Sequence, residues 1–425
     1  MRRRRAPARG RPGAPSGPQG DGADVTASVE LGTVDGRVFA LELDELRQHV
    51  FIPGASGSGK TTTVACIVDG HLSHGCGVVI VDCKGTGLDE AARVLSERHG
   101  VAMHVVDPRD PDSLGYDPCQ GDAAAIANKL IGAFTFSAEA EIYKQIAMEV
   151  VPVICRALQA TGPRVTLAEI QQSLGKGAMS RLGRRDGIDP ELRVRLEDLD
   201  DAGRVSASGY QGLQHRLGAL LEGAFGAIFA LEPALSWSEV TDGPQVTYLS
   251  LSATAAGEDV ELFARVIAQD LKQLCDERMR AISRGEPVDQ LLVVFDEFAA
   301  LREAPQVVDL LLQARQARVC VLIATQYLPE ASAIRKPALS SGVVIAHRLD
   351  ADDAEVIASQ FGTRSVPSIT AQVDYETGQS RVGSLRMVEQ FNVHPNVIKA
   401  LPTGRAAVLS RVSGRSGVVH VRRVV

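Results

Sequence analysis

Residues 51–63 read FIPGASGSGKTTT, in which Gly54 is followed, after four residues, by Gly59-Lys60-Thr61. That spacing is the pattern of a loop that wraps phosphate groups, with its backbone N–H groups and the following helix N-terminus aimed at negative charge. In such a loop Gly54, Ala55, Ser56, Gly57, Ser58, Gly59, Lys60, Thr61 and Thr62 line a bound nucleotide. Lys60 reaches the terminal phosphates and the Thr61 hydroxyl holds Mg2+. The chemistry implied is the binding of ATP with Mg2+.

Two further stretches could complete a hydrolytic site. LLVVFDEF (291–298) ends an apolar run on Asp296 and Glu297. At the carboxyl edge of a strand, Asp296 can hold Mg2+ through water and Glu297 can take a proton from the attacking water. VCVLIATQYLPE (319–330) puts Gln326 at the end of the next apolar run, where an amide can touch both the γ-phosphate and that water. Arg315 and Arg318 precede this run, and Asp82 and Lys84 end an earlier one, GVVIVD (77–82). His71 and His74 stand three apart near a helix end, but without the cysteine or carboxylate companions of a metal site.

Elements that could carry these residues follow from the hydrophobic pattern. Continuous apolar runs at 49–53, 77–82, 101–106, 245–251, 290–296, 318–325 and 341–347 read as strands of a parallel sheet covered on both faces. A helix is expected at 88–98, and another at 303–316. Strand signals stop between about 122 and 235, where 123–134, 141–158, 166–174 and 210–225 have helical periodicity, with a Thr166…Glu169 capping box. The segment GKGAMSRLGRRDGIDP (175–190) reads as an exposed connection within that insertion. A hairpin turning at Asp35-Gly36 precedes the loop strand. Residues 1–22, rich in Arg, Pro and Gly, form a basic tail with little to bury. The expected fold class is therefore α/β: a P-loop NTPase core with a mainly parallel sheet, over 23–125 and 236–425. An all-α domain is inserted at 126–235, and a short N-terminal β-hairpin leads in.

Composition narrows the class. Charged residues make up 23% and apolar ones 45% of the 425, as in an ordinary globular chain, and no uncharged apolar run approaches a membrane span. Seven scattered cysteines fit reduced thiols in a cytoplasm. The net charge of −7 gives no global sign of nucleic-acid binding, although a ring-shaped motor can confine its basic residues to a channel.

The order of loop, Asp-Glu strand, arginine and Gln-ending strand resembles the FtsK/HerA branch of RecA-like ATPases. Within it, the chain is most similar to the conjugative coupling proteins of type IV secretion (the TraG/TraD type). VIVDCKGTGL resembles their strand-Asp-Pro-Lys-Gly turn, with Cys83 where proline is usual; YDPC (116–119) resembles a Tyr-Asn-Pro segment; and residues 383–409 resemble their closing region. The resemblance implies a homo-hexameric, ATP-driven DNA translocase, with single- or double-stranded DNA as its track and relaxase or secretion-channel partners. It also places the arginine finger at Arg315. The eight residues 318–325, at ~3.3 Å each, hold Arg315 about 26 Å from the phosphate edge of its own strand, so it would serve a neighbour's nucleotide. Coupling proteins normally begin with a membrane-spanning domain, and none is expected here; the chain would be cytoplasmic or recruited to the inner face of the membrane by a partner. A HerA/FtsK-type double-stranded DNA pump, a ring ATPase that drives protein secretion, and an ATP-dependent switch that forms no ring remain open alternatives.

Overall fold

The computed structural model describes residues 27–84, 87–134, 141–205, 207–241, 243–251, 257–298, 305–330, 332–373 and 380–425. The basic tail expected at 1–22 lies outside them.

The hairpin forms from β1 (Ser28–Val34) and β2 (Arg37–Glu42), turning at Asp35-Gly36 with φ of 47° and 77°. Two successive left-handed residues match the twist of an antiparallel ribbon, which explains the Asp-Gly pair. A short α1 (Leu43–Leu46) leads into β3 (Val50–Pro53), α2 (Lys60–Ser73), β4 (Gly77–Asp82), α3 (Leu88–His99) and β5 (Ala102–Val106). A two-residue bridge pairs β6 (Gly115–Tyr116) with β7 (Ala234–Leu235). Between them lie α4 (Ala123–Ala133), α5 (Glu141–Thr161), α6 (Leu167–Ser173), α7 (Ala178–Gly183), α8 (Pro190–Val205) and α9 (Ala207–Glu222). The chain returns through β8 (Gln245–Ser250), α10 (Gly257–Ser283), β9 (Leu291–Asp296), α11 (Pro305–Gln313), β10 (Val319–Thr325), α12 (Ser332–Leu339), β11 (Val343–Ala346) and α13 (Ala351–Gln360). It closes with β12 (Thr363–Val373), β13 (Ser380–Phe391), α14 (Pro395–Lys399), β14 (Arg405–Ser410) and β15 (Ser416–Val421).

Eleven strands form one sheet in the order β2-β1-β15-β14-β11-β3-β10-β9-β4-β8-β5. Seven neighbours, from β11 to β5, are parallel, and the hairpin with β14 and β15 adds an antiparallel flank. Their continuous apolar runs serve both faces. Val79, Val81, Val293, Phe295, Val321 and Ile323 join the core on one side. Val78, Ile80, Leu292, Val294, Cys320 and Leu322 join the other, beneath α2 and α3. Period-two alternation sends every second side chain of a strand to the opposite face, so a strand covered on both sides must be apolar throughout.

The first of these cores runs without a break into the helical insertion, where Ile154, Leu196, Leu213 and Leu217 belong to it. Helix α6 starts at the Thr166–Glu169 capping box, with Glu169 N donating to Thr166 Oγ1 at 3.2 Å. The stretch 175–190 differs from the exposed connection its Gly and Arg content suggests: it contains α7, which buries Met179 and Leu182, and Ile188 is buried as well. Arg181, the one charged residue of this short helix, is exposed opposite Met179 and Leu182, and the other charged residues of the stretch, Lys176, Arg184, Arg185, Asp186 and Asp189, are exposed on the segments that flank it. Helix α11 ends at Gln313, short of the expected 316. Residues 314–318 are turns in which Ala317 N and Val319 N both bond Ala314 O, at 3.0 and 2.9 Å. His71 is fully buried and not at an exposed helix end: its Nδ1 lies 2.8 Å from Ile67 O, and burial pushes its pKa down to about 4. The two-stranded ribbon of β12 and β13 has no counterpart in the sequence-based expectations.

All seven cysteines are free and buried. No described helix is long and apolar enough to cross a membrane.

A charged pair joins the insertion to the rest of the core. Lys129 of α4 and Asp270 of α10 form an ion pair with side chains 2% and 3% exposed, and Tyr116 OH also donates to Asp270. Burial still holds the Asp270 carboxyl up at about 6 despite the lysine. Removing one partner strands the other charge in apolar surroundings. Lys129→Ala should therefore destabilise the protein by about 3–5 kcal/mol, whereas Lys129→Met with Asp270→Leu should come close to wild type. Denaturant unfolding measures both, and equal losses in the single and double variants would show that the pair is not what joins these helices.

Candidate nucleotide-binding site

Between β3 and β4 the chain leaves room for two strands, which β9 and β10 later fill. That insertion gathers the site. Pro53 pairs with Thr325, Ile323 with Phe295, and Asp82 with Asp296, so the carboxyl ends of β3, β10, β9 and β4 lie side by side. The phosphate-type loop, Gln326, Asp296-Glu297 and Asp82 all follow directly from those ends. Ligands of open α/β sheets bind at this edge, beyond the carboxyl ends of the strands.

The loop from Gly54 to Gly59 is held from several directions. Gly54 N donates to Thr325 O at 3.1 Å, Ala55 N to Arg348 O at 2.7 Å, and Gly404 N to Ser58 O at 3.2 Å. Thr403 Oγ1 donates to Gly57 O at 3.1 Å. Gly59 caps α2 with φ 110°, a left-handed conformation that favours glycine, and a Cβ there would come within 3.0 Å of Gly404 N. Lys60 Nζ donates to Gly54 O at 2.6 Å and Ala55 O at 3.3 Å, curled inside its own loop. Burial pulls its pKa down, while Glu297 and Asp296 oppose that. Ser56, Gly57 and Thr61 are exposed at the mouth and Thr62 is half-buried, whereas Ser58 is buried.

Opposite the loop, Asp296 is 7% exposed. Burial first, then the charges of Asp82 and Glu297, push its carboxyl up to about 6, with the Lys60 ammonium opposing. Glu297 takes φ 56°, rare for a residue with a Cβ, and accepts from Gln326 Nε2 at 2.6 Å. Backbone strain of this kind persists where the surroundings impose it and is found at functional sites. The sequence-predicted Glu297 and Gln326 thus touch, and the Glu297 charge acts on both Asp296 and Lys60. Asp82 is fully buried at the same edge, but its oxygens accept from Lys84 N at 2.8 Å and Tyr248 OH at 2.7 Å. It adds negative charge beneath Asp296 and braces the strand ends.

These residues fit a nucleotide with Mg2+. The loop supplies N–H groups and an ammonium, and Asp296 faces it across the strand edge. Among the described residues no group of three or more His, Cys, Asp or Glu side chains is placed to hold a metal alone. Mg2+ is commonly held by one or two protein oxygens together with phosphates, which Asp296 and Thr61 can supply here.

Arg315 is not part of this cluster. It is exposed, in the turn before the amino end of β10, at the edge opposite the loop. Arg318 lies close by with φ 56°, its guanidinium donating to Val288 O at 2.9 Å. Sequence reasoning missed His347, which follows β11 directly, and, although 383–409 was singled out by resemblance, it did not foresee that the turn at 402–404 holds the loop. Nothing in the chain separation of 284 residues announces that His347 Nε2 lies 2.8 Å from Thr63 Oγ1.

Residues 29–89, from the hairpin through the loop to the start of α3, match the family model for the central domain of the helicase HerA. The structure is similar to the bacterial conjugative coupling protein TrwBdeltaN70, with a TM-score of 0.64 at 16% identity over 91% of this chain and 86% of that one. This is the RecA-like P-loop NTPase fold. The plasmid coupling protein TrwB in complex with ADP and Mg2+ is similar at 0.63 and 16%, over 93% and 89% of the two chains. VirB4 of Thermoanaerobacter pseudethanolicus is similar at 0.57 and 12%, over 95% and 98%. No curated protein matches the sequence. At these identities the likeness to the solved structures is one of fold.

The raised Asp296 pKa has a consequence for stability. The folded protein binds this proton more tightly than the unfolded chain does, so the group's stabilising contribution is full below its ordinary pKa of 3.8 and is lost as pH rises to about 6. Asp296→Asn escapes that loss. It should unfold later than wild type at pH 7 without nucleotide, by up to about 3 kcal/mol, with the gap closing toward pH 4. It should also lose the extra stabilisation by ATP that depends on Mg2+. Thermal unfolding across pH reads both, and a gap that does not narrow toward pH 4 would contradict the raised Asp296 pKa.

Proposed function

We propose that this chain is an ATP-driven DNA translocase, a coupling-protein-like motor that closes into a hexameric ring and moves DNA through its centre. The reading is carried by the match of residues 29–89 to a helicase central domain, seated in a fold similar to a conjugative coupling protein. A helicase-type match favours nucleic acid over protein as the polymer moved.

Each residue has a role in this mechanism. Loop N–H groups and Lys60 bind the β- and γ-phosphates; Thr61 and Asp296 hold Mg2+. Held there, the cation would supply positive charge against the phosphoryl oxygens. Glu297 orients the attacking water and takes its proton. Gln326, bonded to Glu297, stands where it can report the γ-phosphate to the segment after β10. Arg315, exposed at the far end of that strand, inserts into the neighbouring subunit's site and stabilises the transition-state charge. Arg318 is the weaker candidate, because its guanidinium is already engaged by Val288 O. Contacts to DNA are mainly to phosphate, hence non-specific and weakened by salt.

Lys60→Ala should lose tight ATP binding, whereas Glu297→Gln should keep it and lose hydrolysis. Equal loss of binding in both would mean that Glu297 is misassigned. DNA should stimulate the ATPase, and the stimulation should fade as salt rises; none with single- or double-stranded DNA at low salt would overturn the translocase reading. Native mass with ATP and DNA tests the ring, since a chain that stays monomeric in their presence is a switch instead. Arg315→Ala should bind ATP yet hydrolyse at least about 10³-fold more slowly. Mixing it with Lys60→Ala subunits should restore part of the rate, because some interfaces then pair an intact loop with an intact finger. A normal rate in Arg315→Ala alone moves the finger elsewhere.

A further inference from the structure

Beneath the phosphate loop lies a side chain that the catalytic roles above do not use. His347 is fully buried, directly after β11, and its backbone N donates to Pro53 O at 2.9 Å. The next residue's carbonyl, Arg348 O, accepts from Ala55 N at 2.7 Å. The histidine therefore runs under the loop from its first residue to its last. A Cβ on Gly54 would lie 2.5 Å from His347 Cβ, and one on Gly59 would lie 3.4 Å from His347 Cε1. Its imidazole fills the concave side of the loop, and the glycines at both ends leave room for it.

The ring also makes a specific contact. His347 Nε2 is 2.8 Å from Thr63 Oγ1, itself fully buried. Thr63 Oγ1 donates to Gly59 O at 3.3 Å, and Thr63 N bonds the same carbonyl at 3.1 Å. Gly59 O belongs to the peptide whose N–H is that of Lys60, so its direction fixes the direction of that N–H. Burial, with the Lys60 charge adding to it, pushes the His347 pKa down to about 4, which keeps the ring neutral and places no second positive charge under the phosphates.

We propose that His347 is a positioning residue for nucleotide binding: through the Thr63 hydroxyl it fixes the Gly59–Lys60 peptide, and thereby the loop N–H groups that hold the phosphates. This rests on the proposed nucleotide-binding reading. It assigns a role in ground-state affinity to two residues that would touch no ligand. Losing one buried hydrogen bond, and leaving its partner unsatisfied, is worth about tenfold in an equilibrium.

Titration of a fluorescent ATP analogue with the full chain tests the relay. His347→Ala and Thr63→Val should each weaken binding about tenfold, and the double variant should be little weaker than either, because both cut one chain of contacts. His347→Gln, whose amide reaches the Nε2 position, and Thr63→Ser should stay within about twofold of wild type. The ATPase rate at saturating ATP should hold while KM rises. Wild-type affinity in Thr63→Val, or losses that multiply in the double variant, would overturn the relay. Should His347→Ala fail to fold, Thr63→Val against Thr63→Ser still decides. Lys60→Ala serves as the control: tight binding lost there but kept in Thr63→Val sinks the relay alone, whereas a wild type that binds no nucleotide sinks the functional reading with it.

Discussion

Parallel pairing of β3, β10, β9 and β4 is the constraint on which the rest of the molecule depends. Because the four strands run in one direction, everything that follows their carboxyl ends emerges at one edge: the loop, Gln326, the Asp296-Glu297 pair and Asp82. Antiparallel neighbours would have sent half of these groups to the other side of the sheet. Parallel strands also need crossovers, and the helices that make them cover both faces, which is why these strands are apolar throughout.

That edge concentrates charge. Three carboxylates gather there: Asp296 and Glu297 face the Lys60 ammonium, with Lys84 nearby, and Asp82 adds its charge against Asp296. Most of the strain appears on Asp296, which is the most buried of those facing the loop. A site that holds excess negative charge against its own stability is suited to receive a divalent cation together with its phosphates. The left-handed Glu297 is in keeping with this, since its backbone angle turns the carboxylate toward Gln326.

Elsewhere the structure spends its polar contacts on holding this edge rigid. Residues 347–348 grip the loop from beneath and 403–404 from the side, so two segments far along the chain fix a loop read from thirteen consecutive residues. Among the described residues, those of the helical insertion take no part in that grip. The insertion shares the apolar core of the opposite side of the sheet and is joined to α10 by the buried Lys129–Asp270 pair.

What the sequence determined by itself is whatever depends on short range. The loop's glycines and lysine, the Asp35-Gly36 turn, the Thr166 capping box and the apolar strands are each specified within a dozen residues, because turn geometry, capping and side-chain period are local. The mainly parallel character of the sheet was also legible, since strands buried on both faces must be apolar throughout. Tertiary structure alone decided the rest. Strand order brought Glu297 against Gln326, 29 residues away, and His347 against Thr63, 284 residues away. Nothing local distinguishes the histidine ending SGVVIAH from any other histidine at the end of an apolar strand. The same holds for 175–190, where Gly and Arg suggested a surface connection: Met179 and Leu182 are buried by helices that the segment does not contain. A residue's neighbours across a sheet or a helix packing are set by the whole chain's burial of apolar surface, and no window of sequence carries that information.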